Sequence, residues 1–373
     1  MDITITFPDG KKGKFKKGIT ALEIASSISE GLARAVCAAK VDGELVDATK
    51  PIEKSAKLEL LKFDGEGKEV FWHSTAHLLA QAVLRVFPEA KPTIGPVIDE
   101  GFYYDFDHPP FSPEDLKKIE GEMKNIVKER LETKRKVMKS SEALKVFKDN
   151  KYKCEIIKEA PKDDVITAYE QGDFIDLCRG PHLPHTGMIK AFKLTKMSAA
   201  YWRGDAKKAS LQRIYGVSYP DKKLLKDYLT RMEEAAKRDH KKIGREQELF
   251  MIHEMVGKGL PVWLPKGEVI KNEIEKYAVE MEQKAGYVQV STPHLAKEEL
   301  FLTSGHLPHY EDSMYPKMEM DDGTYFLKAM NCPLHHLVYN HSPRSHRELP
   351  LRIAEYGTVY RNELSGTLSG LLR

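Results

Sequence analysis

The chain reads as an α+β protein of several domains, and three observations carry that reading. At 373 residues it is longer than one hydrophobic core usually organises, so two to four domains are expected. Residues 1–62 alternate apolar and polar side chains in short strand-like runs broken by turns. Helical periodicity then recurs beyond Phe71, after Ser112, across 221–243 and across 268–284, with strand-like runs between. Neither an internal repeat nor a low-complexity segment is present.

Composition excludes more than it selects. The 59 basic and 56 acidic residues leave a net charge of +3, too small by itself to argue for a nucleic-acid partner. Local basic clusters, Lys11 to Lys17 and Lys237 to Lys242, count for more. The four cysteines, Cys37, Cys154, Cys178 and Cys332, lack a disulfide-framework spacing, which suggests a reducing compartment. No apolar run approaches the roughly 18 residues of a membrane span, and the start of the chain lacks a signal pattern. A cytoplasmic location is expected.

The N-terminal unit builds from Ile3 and Ile5, a turn at Pro8-Asp9-Gly10, and Thr20-Ala-Leu-Glu23, a capping box that opens a helix through Ile28. Strands at Ala35–Val41 and Leu58–Phe63 flank the turn at Asp42-Gly43. This ββαββ unit, residues 1–62, resembles the ubiquitin-like TGS domain, a β-grasp fold. Lys62 to Lys68 reads as a linker and a helix starts near Phe71. On that helix His73 and His77 share a face with Ala80, Leu84 and Phe87. Lys91 to Phe106 reads as strand, turn and strand. Ser112-Pro113-Glu114-Asp115 is a strong helix start, and that helix, to about Arg130, is assigned to an inserted subdomain. Residues 151–220 read as short strands and loops, and 221–243 as a connecting amphipathic helix with Leu224, Leu225, Tyr228, Leu229, Met232 and Ala236 on its packing side. A third region, 244–373, contains a helix at Glu268–Lys284 and a strand at Val288–Ser291.

Two paired motifs carry chemistry. His73-Ser-Thr-Ala-His77 presents two imidazoles on one helical face. Cys178-Arg-Gly-Pro-His182 holds a thiol and an imidazole on a loop stiffened by Gly180 and Pro181, with Asp176 two residues ahead. Three histidines and a cysteine suit zinc by ligand type. The same groups suit hydrolysis, with an imidazole as base for a water molecule. The residues alone leave both open.

Together with Gly95-Pro-Val-Ile-Asp-Glu-Gly-Phe-Tyr-Tyr104 and Ala200-Tyr-Trp-Arg-Gly-Asp205, these motifs resemble, in order, the editing domain of the bacterial-type threonyl-tRNA synthetase family. The resemblance implies an α+β editing domain over 63–220 that hydrolyses seryl-tRNA(Thr) without requiring a metal. It implies His73, His77, Cys178 and His182 as pocket residues, with Asp176, Lys153 and Tyr104 in support. The linker helix is then 221–243.

Residues 244–373 resemble part of a class II synthetase catalytic domain built on an antiparallel sheet. Lys328-Ala-Met330-Asn-Cys332-Pro333 reads as a strand end turning into a helix. The resemblance makes Cys332 one ligand of a catalytic Zn2+ and puts Met330 at the ATP/threonine site. Arg361 and Glu363, two apart on a predicted strand, share a face. In a stretch resembling motif 2 they suit the α-phosphate and the adenine amino group of ATP, bound with Mg2+. Residues 268–293 resemble motif 1, which implies a homodimer.

The family's substrates, threonine, ATP and tRNA(Thr), explain two sites in one chain. A zinc that binds an amino alcohol rejects valine but discriminates poorly against serine. One missing methyl is worth about 1–3 kcal/mol, or roughly 10–200-fold. A threonine–tRNA ligase is therefore expected to carry a second, hydrolytic sieve. The resemblance further implies that the sequence stops inside motif 2, leaving only the editing site complete. A stand-alone deacylase is the main alternative, and Met330–Pro333 with Tyr360–Gly366 argues against it.

Overall fold

A computed structural model describes residues 2–161, 165–205, 207–257 and 259–363. Its contacts divide the chain into two compact units, Met1–Met232 and Glu233–Arg373.

The first unit opens with β1 (Asp2–Thr6), β2 (Lys12–Lys16), α1 (Ala21–Ile28), a short α2 (Glu30–Ala33), β3 (Ala38–Val41), β4 (Glu44–Val46) and β5 (Ala56–Leu61). The sheet order is β2-β1-β5-β3-β4, with β1 parallel to β5 and the other pairs antiparallel. The capping box forms as the sequence requires: Glu23 donates its amide to Thr20 Oγ1 and accepts the Thr20 amide. Ile3, Ile5, Ile24, Ala39, Ile52 and Leu58 fill the core between α1 and the sheet.

Next come α3 (Gly65–Val86), β6 (Lys91–Pro92), β7 (Val97–Ile98), β8 (Gly101–Asp107), α4 (Pro113–Glu129), β9 (Thr133–Met138), α5 (Ser140–Val146), α6 (Lys151–Glu159), β10 (Ile166–Gln171), β11 (Phe174–Leu177), β12 (Ala191–Tyr201) and β13 (Ser210–Tyr219). An antiparallel sheet of order β12-β13-β8-β6, with β7 on β8, carries α3 and α4. Phe71, Leu79, Phe102, Phe106, Ile119, Met123 and Ile214 lie in their common core. A second sheet, β11-β10-β9, packs with α5 and α6 around Met138, Phe147, Ile157 and Ile166.

Three expectations are corrected here. The helix expected near Phe71 starts at Gly65, inside the supposed linker, and its Gly67 sits against the Lys62 carbonyl, where a Cβ would lie 1.8 Å away. Lys40 of β3 forms an ion pair with Glu66 in the first turn of α3. The helix after Ser112 begins as read, with a Ser112–Asp115 capping box and Pro at its start, and ends at Arg130 in the left-handed conformation. It belongs to the main core, however, not to a subdomain, since Ile119, Met123 and Ile126 face α3 and the large sheet. The segment 151–220 holds a helix and two long paired strands, β12 and β13, whose burial does not follow a simple alternation.

The connecting helix is interrupted. α7 spans Lys222–Lys237 and α8 His240–Glu246, the break being fixed by Asp239, whose carboxylate caps α8 through the Lys242 amide at 2.8 Å. Leu225, Tyr228 and Leu229 are only half-buried, and Leu224 and Met232 are exposed.

The second unit continues with β14 (Phe250–Met251), β15 (Val262–Trp263), α9 (Pro265–Lys284), β16 (Val288–Gln289), β17 (Leu295–Lys297), α10 (Glu298–Thr303), α11 (His306–His309), β18 (Met318–Met320), β19 (Gly323–Leu327), α12 (Cys332–Asn340) and β20 (Ile353–Ala354). β17-β19-β18 is an antiparallel sheet, and β16 pairs in parallel with β20. The strand expected at Val288–Ser291 is thus shorter, though Val290 still donates its amide to Ala354. Among the described residues no helix is long and apolar enough to cross a membrane.

Candidate active site

Four elements converge on one cleft of about 450 Å³ in the first unit. α3 contributes His73 and His77, β8 contributes Tyr104, α6 contributes Lys153, and the end of β11 contributes Asp176 and Cys178. Every expected residue of the two paired motifs therefore meets the others. The ligand-type atoms of His73, His77, Cys178 and His182 lie within 4.8 Å of one another.

Each side chain has a reason to be where it is. α6 starts at Asn150, whose side chain accepts the amides of Tyr152 and Lys153. It is braced by the Trp-Arg turn at 202–203: Trp202 donates to Glu155 at 3.1 Å and stacks edge-on against Tyr152. Lys153 Nζ then reaches Asp176 Oδ1 at 2.5 Å and Tyr104 Oη at 3.2 Å. Tyr104 donates to Asp176 Oδ2 at 2.5 Å, and His77 Nε2 lies 3.6 Å from the same oxygen. Asp176 and Lys153 are almost fully buried, so the ion pair is the condition for burying either charge. The Tyr104 hydroxyl is pushed well above its ordinary value by burial and by the Asp176 charge, so it stays a donor.

Cys178 Sγ lies 3.2 Å from both His73 Nε2 and His182 Nε2 and accepts the Gly180 amide at 3.2 Å. Burial pushes its thiol up to about 12, so sulfur is protonated at neutral pH. The tautomer of His182 follows from Ser74. That hydroxyl spends its one proton on the Val70 carbonyl at 2.8 Å, so it accepts from His182 Nδ1 at 3.2 Å. His182 Nε2 is left as a lone pair facing Cys178.

Burial lowers the pKa of all three imidazoles; for His77 and His182 it lies well below the usual histidine value. A depressed folded pKa means that the unfolded chain binds more protons below about pH 6.5. Stability is therefore retained above that pH and lost as pH falls toward the depressed values. His77 and His182 should each contribute a slope of up to about 1.4 kcal/mol per pH unit. Urea melts between pH 7.5 and 5.5 should show this loss, and a His77→Gln variant should show a shallower one. Identical slopes would mean that His77 is not buried neutral.

Two residues that hold the site were not anticipated. Tyr169 of β10 packs its ring 4.4 Å from that of His182. Asp47, beyond β4, accepts from the His182 amide. Neither belongs to the paired motifs, and Asp47 is 135 positions from its partner, so no local pattern marks it.

In the second unit, the turn from strand to helix at Lys328–Cys332 forms as expected. Lys328 is fully buried and shares Glu355 with His335 and Thr292. Burial alone would raise Glu355, yet His335, Thr292 and Lys328 hold it down at about 2. Cys332 is exposed, and among the described residues it belongs to no cluster of possible metal ligands. One thiol does not make a zinc site. Arg361 and Glu363 are not on a strand: the segment is held by isolated backbone bonds from Tyr360 to Lys328 and from Asn362 to Ser313 rather than by a ladder. Arg361 donates to the Ala329 carbonyl at 3.2 Å, next to Met330. Leu364–Gly366 and the remaining residues to Arg373 lie outside the described residues.

Comparison with known proteins agrees with this layout. Residues 3–62 match the TGS domain, and 166–215 match the threonyl and alanyl tRNA synthetase second additional domain. Residues 316–373 match the tRNA synthetase class II core domain (G, H, P, S and T). The order defines the domain set of a class II aminoacyl-tRNA synthetase. Threonine–tRNA ligases are similar to the chain from end to end. That of Nitrosococcus oceani is 51% identical over 99% of this chain and 58% of its own length. Those of Staphylococcus carnosus and Caldanaerobacter subterraneus subsp. tengcongensis are each 50% identical over 100% of this chain and 58% of theirs. The chain is similar over essentially its whole length to threonine–tRNA ligases. It spans 58% of the length of these relatives. The crystal structure of the RNA binding domain of threonyl-tRNA synthetase from Cryptosporidium parvum Iowa II is 34% identical over 36% of this chain and 34% of that one, with a TM-score of 0.35.

Proposed function

We propose that the cleft of the first unit hydrolyses the ester of seryl-tRNA(Thr), as the proofreading step of a threonine–tRNA ligase. The observation that carries this reading is the convergence of three neutral imidazoles and a protonated thiol beside a buried Lys153–Asp176 pair. A neutral imidazole can take a proton from water at pH 7, and a thiol held near 12 is not a nucleophile there. His73, the one imidazole of the three that is only half-buried, is the base. It draws the proton from a water that attacks the ester carbonyl. Lys153 presents positive charge to the developing oxyanion, and Tyr104, whose one proton goes to Asp176, holds Lys153 and Asp176 in place. The bond to the tRNA ribose breaks, and the proton returns to the leaving hydroxyl. Serine and the free tRNA are the products.

The test is the deacylation of seryl- and threonyl-tRNA(Thr) by the chain. Serine is expected to be released faster. Equal slow rates for both, matching the rate without protein, would refute the reading. A second reading, a zinc held by the same four side chains, is favoured by the 4.8 Å clustering of their ligand atoms. The Nδ1 bond of His182 to Ser74 would orient that ring toward a metal. Stoichiometric zinc in the purified chain would select it.

The second unit is proposed to supply part of the ATP and threonine site, with Arg361, Glu363 and Met330 at the ligands and Cys332 toward a zinc. Dimerisation through α9 is part of the same proposal. Ile270, Ile274, Tyr277 and Met281 recur at helical spacing and are all exposed, Ile274 at 65%. Sedimentation should show a dimer, and Ile274→Glu with Tyr277→Glu should give monomers. A wild-type chain that sediments as a monomer at micromolar concentration would remove this part.

A further inference from the structure

His182 is held on three sides, and one of the three holds comes from the N-terminal β-grasp sheet. Its ring nitrogen Nδ1 meets Ser74, its ring face meets Tyr169, and its backbone amide donates to Asp47 Oδ1 at 2.8 Å. The other oxygen of the same carboxylate, Oδ2, accepts from the Tyr169 hydroxyl at 2.8 Å. One half-buried carboxylate thus fixes both the main chain of the histidine and the ring that packs on it.

Its own position is fixed in turn. The Lys50 amide closes a turn on the Asp47 carbonyl, and the neighbouring Ala48 carbonyl accepts the Leu22 amide of α1. The contact also accounts for Gly180. With φ at +73°, its Cα lies so close to Tyr169 that a Cβ would stand 1.9 Å from the hydroxyl oxygen. The loop from Cys178 to His182 can approach Tyr169 only because that position has no side chain, and Asp47 clamps it there.

We propose that Asp47 is a positioning residue of the hydrolytic site, so that the TGS-type domain is a structural part of the editing centre. This rests on the editing reading above. The carboxylate touches no substrate; it acts by holding His182, and through it Cys178, in register with His73 and His77. A misplacement of about 1 Å at a reacting group costs on the order of 10²-fold in rate.

The experiment uses the full chain and four proteins: wild type, Asp47→Ala, Asp47→Asn and Ile52→Ala. Asn can accept the His182 amide through Oδ1 and donate to Tyr169 through Nδ2, so it keeps both contacts. Ile52 is a buried residue of the same N-terminal domain with no contact to His182, and its truncation controls for destabilisation alone. Asp47→Ala should lower kcat for seryl-tRNA deacylation roughly 10- to 100-fold with KM little changed. Asp47→Asn should stay within about threefold of wild type, and Ile52→Ala should keep wild-type kcat at a temperature where it is folded. In parallel, hydrogen exchange of the segment 178–183 should speed up in Asp47→Ala and in neither of the others.

A wild-type kcat in Asp47→Ala, an equal loss in Ile52→Ala, or unchanged exchange at 178–183 would overturn the proposal. If wild type does not deacylate seryl-tRNA at all, the editing reading fails by itself. The exchange measurement then still decides whether Asp47 holds His182.

Discussion

Replacing His73 and His77 together by alanine is expected to reduce seryl-tRNA deacylation by about 10²–10⁴-fold, the usual contribution of a positioned general base. The chain should stay folded, because the two rings face the cleft from the middle of α3 while Phe71, Leu79 and Val83 carry its packing. The single variants separate the roles. His73, the least buried of the three imidazoles, should account for most of the loss in kcat. His77, buried against Asp176, should affect the pair it faces as well as the rate. Because burial already holds both rings neutral, the wild-type rate should be flat from about pH 6.5 to 8, where a free imidazole would be titrating. Rates for the double variant equal to wild type would remove these residues from the chemistry.

The second large effect is on stability. Asp176→Ala should cost about 3–5 kcal/mol, because it strands the Lys153 ammonium where almost no water reaches it. For a unit of this size that corresponds to a fall in Tm of roughly 6–20 °C. Removing both partners, as Lys153→Met with Asp176→Leu, should restore most of the stability, since a packed apolar pair can replace a buried ion pair at little net cost. It should not restore deacylation, which needs the charge at the cleft. Thermal melts and deacylation rates of the three proteins check both halves. An Asp176→Ala protein melting within a degree of wild type would show that the pair is not buried as described.

The parts of this molecule legible in the sequence are those written in local chemistry. Thr20–Glu23 and Ser112–Asp115 announced two helix starts, and both capping boxes formed. The paired motifs announced which four side chains converge, since four-residue spacing and a Gly-Pro loop survive in any context. What stayed hidden depends on partners far along the chain. The glycines at 65 and 67 read as a linker, yet they lie in the first turn of a helix, and at Gly67 the Lys62 carbonyl leaves no room for a side chain. β12 and β13 lack a clean alternation because the register of β12 shifts between Leu194 and Lys196 and the last four residues of β13 are covered on both faces. Arg361 and Glu363 looked like one strand face, but Arg361 turns to the Ala329 carbonyl instead. Asp47 could not have been read at all, because its role exists only once the β-grasp sheet meets the loop at His182.

α3 has a mechanical consequence. One unbroken helix runs from its first turn, where Gly67 is pressed on the Lys62 carbonyl just past β5, to His73 and His77 in the cleft. It works as a crank with no slack: the sheet grips one end and the imidazoles are set at fixed angles along the shaft. A residue inserted between Gly67 and Phe71 would turn both histidines by about 100° and slide them about 1.5 Å. The face that now meets Cys178 would then carry Trp72 and Ala76 instead. Length changes in this stretch are therefore changes of phase, and the two domains can diverge in sequence far more freely than in the count of residues that joins them.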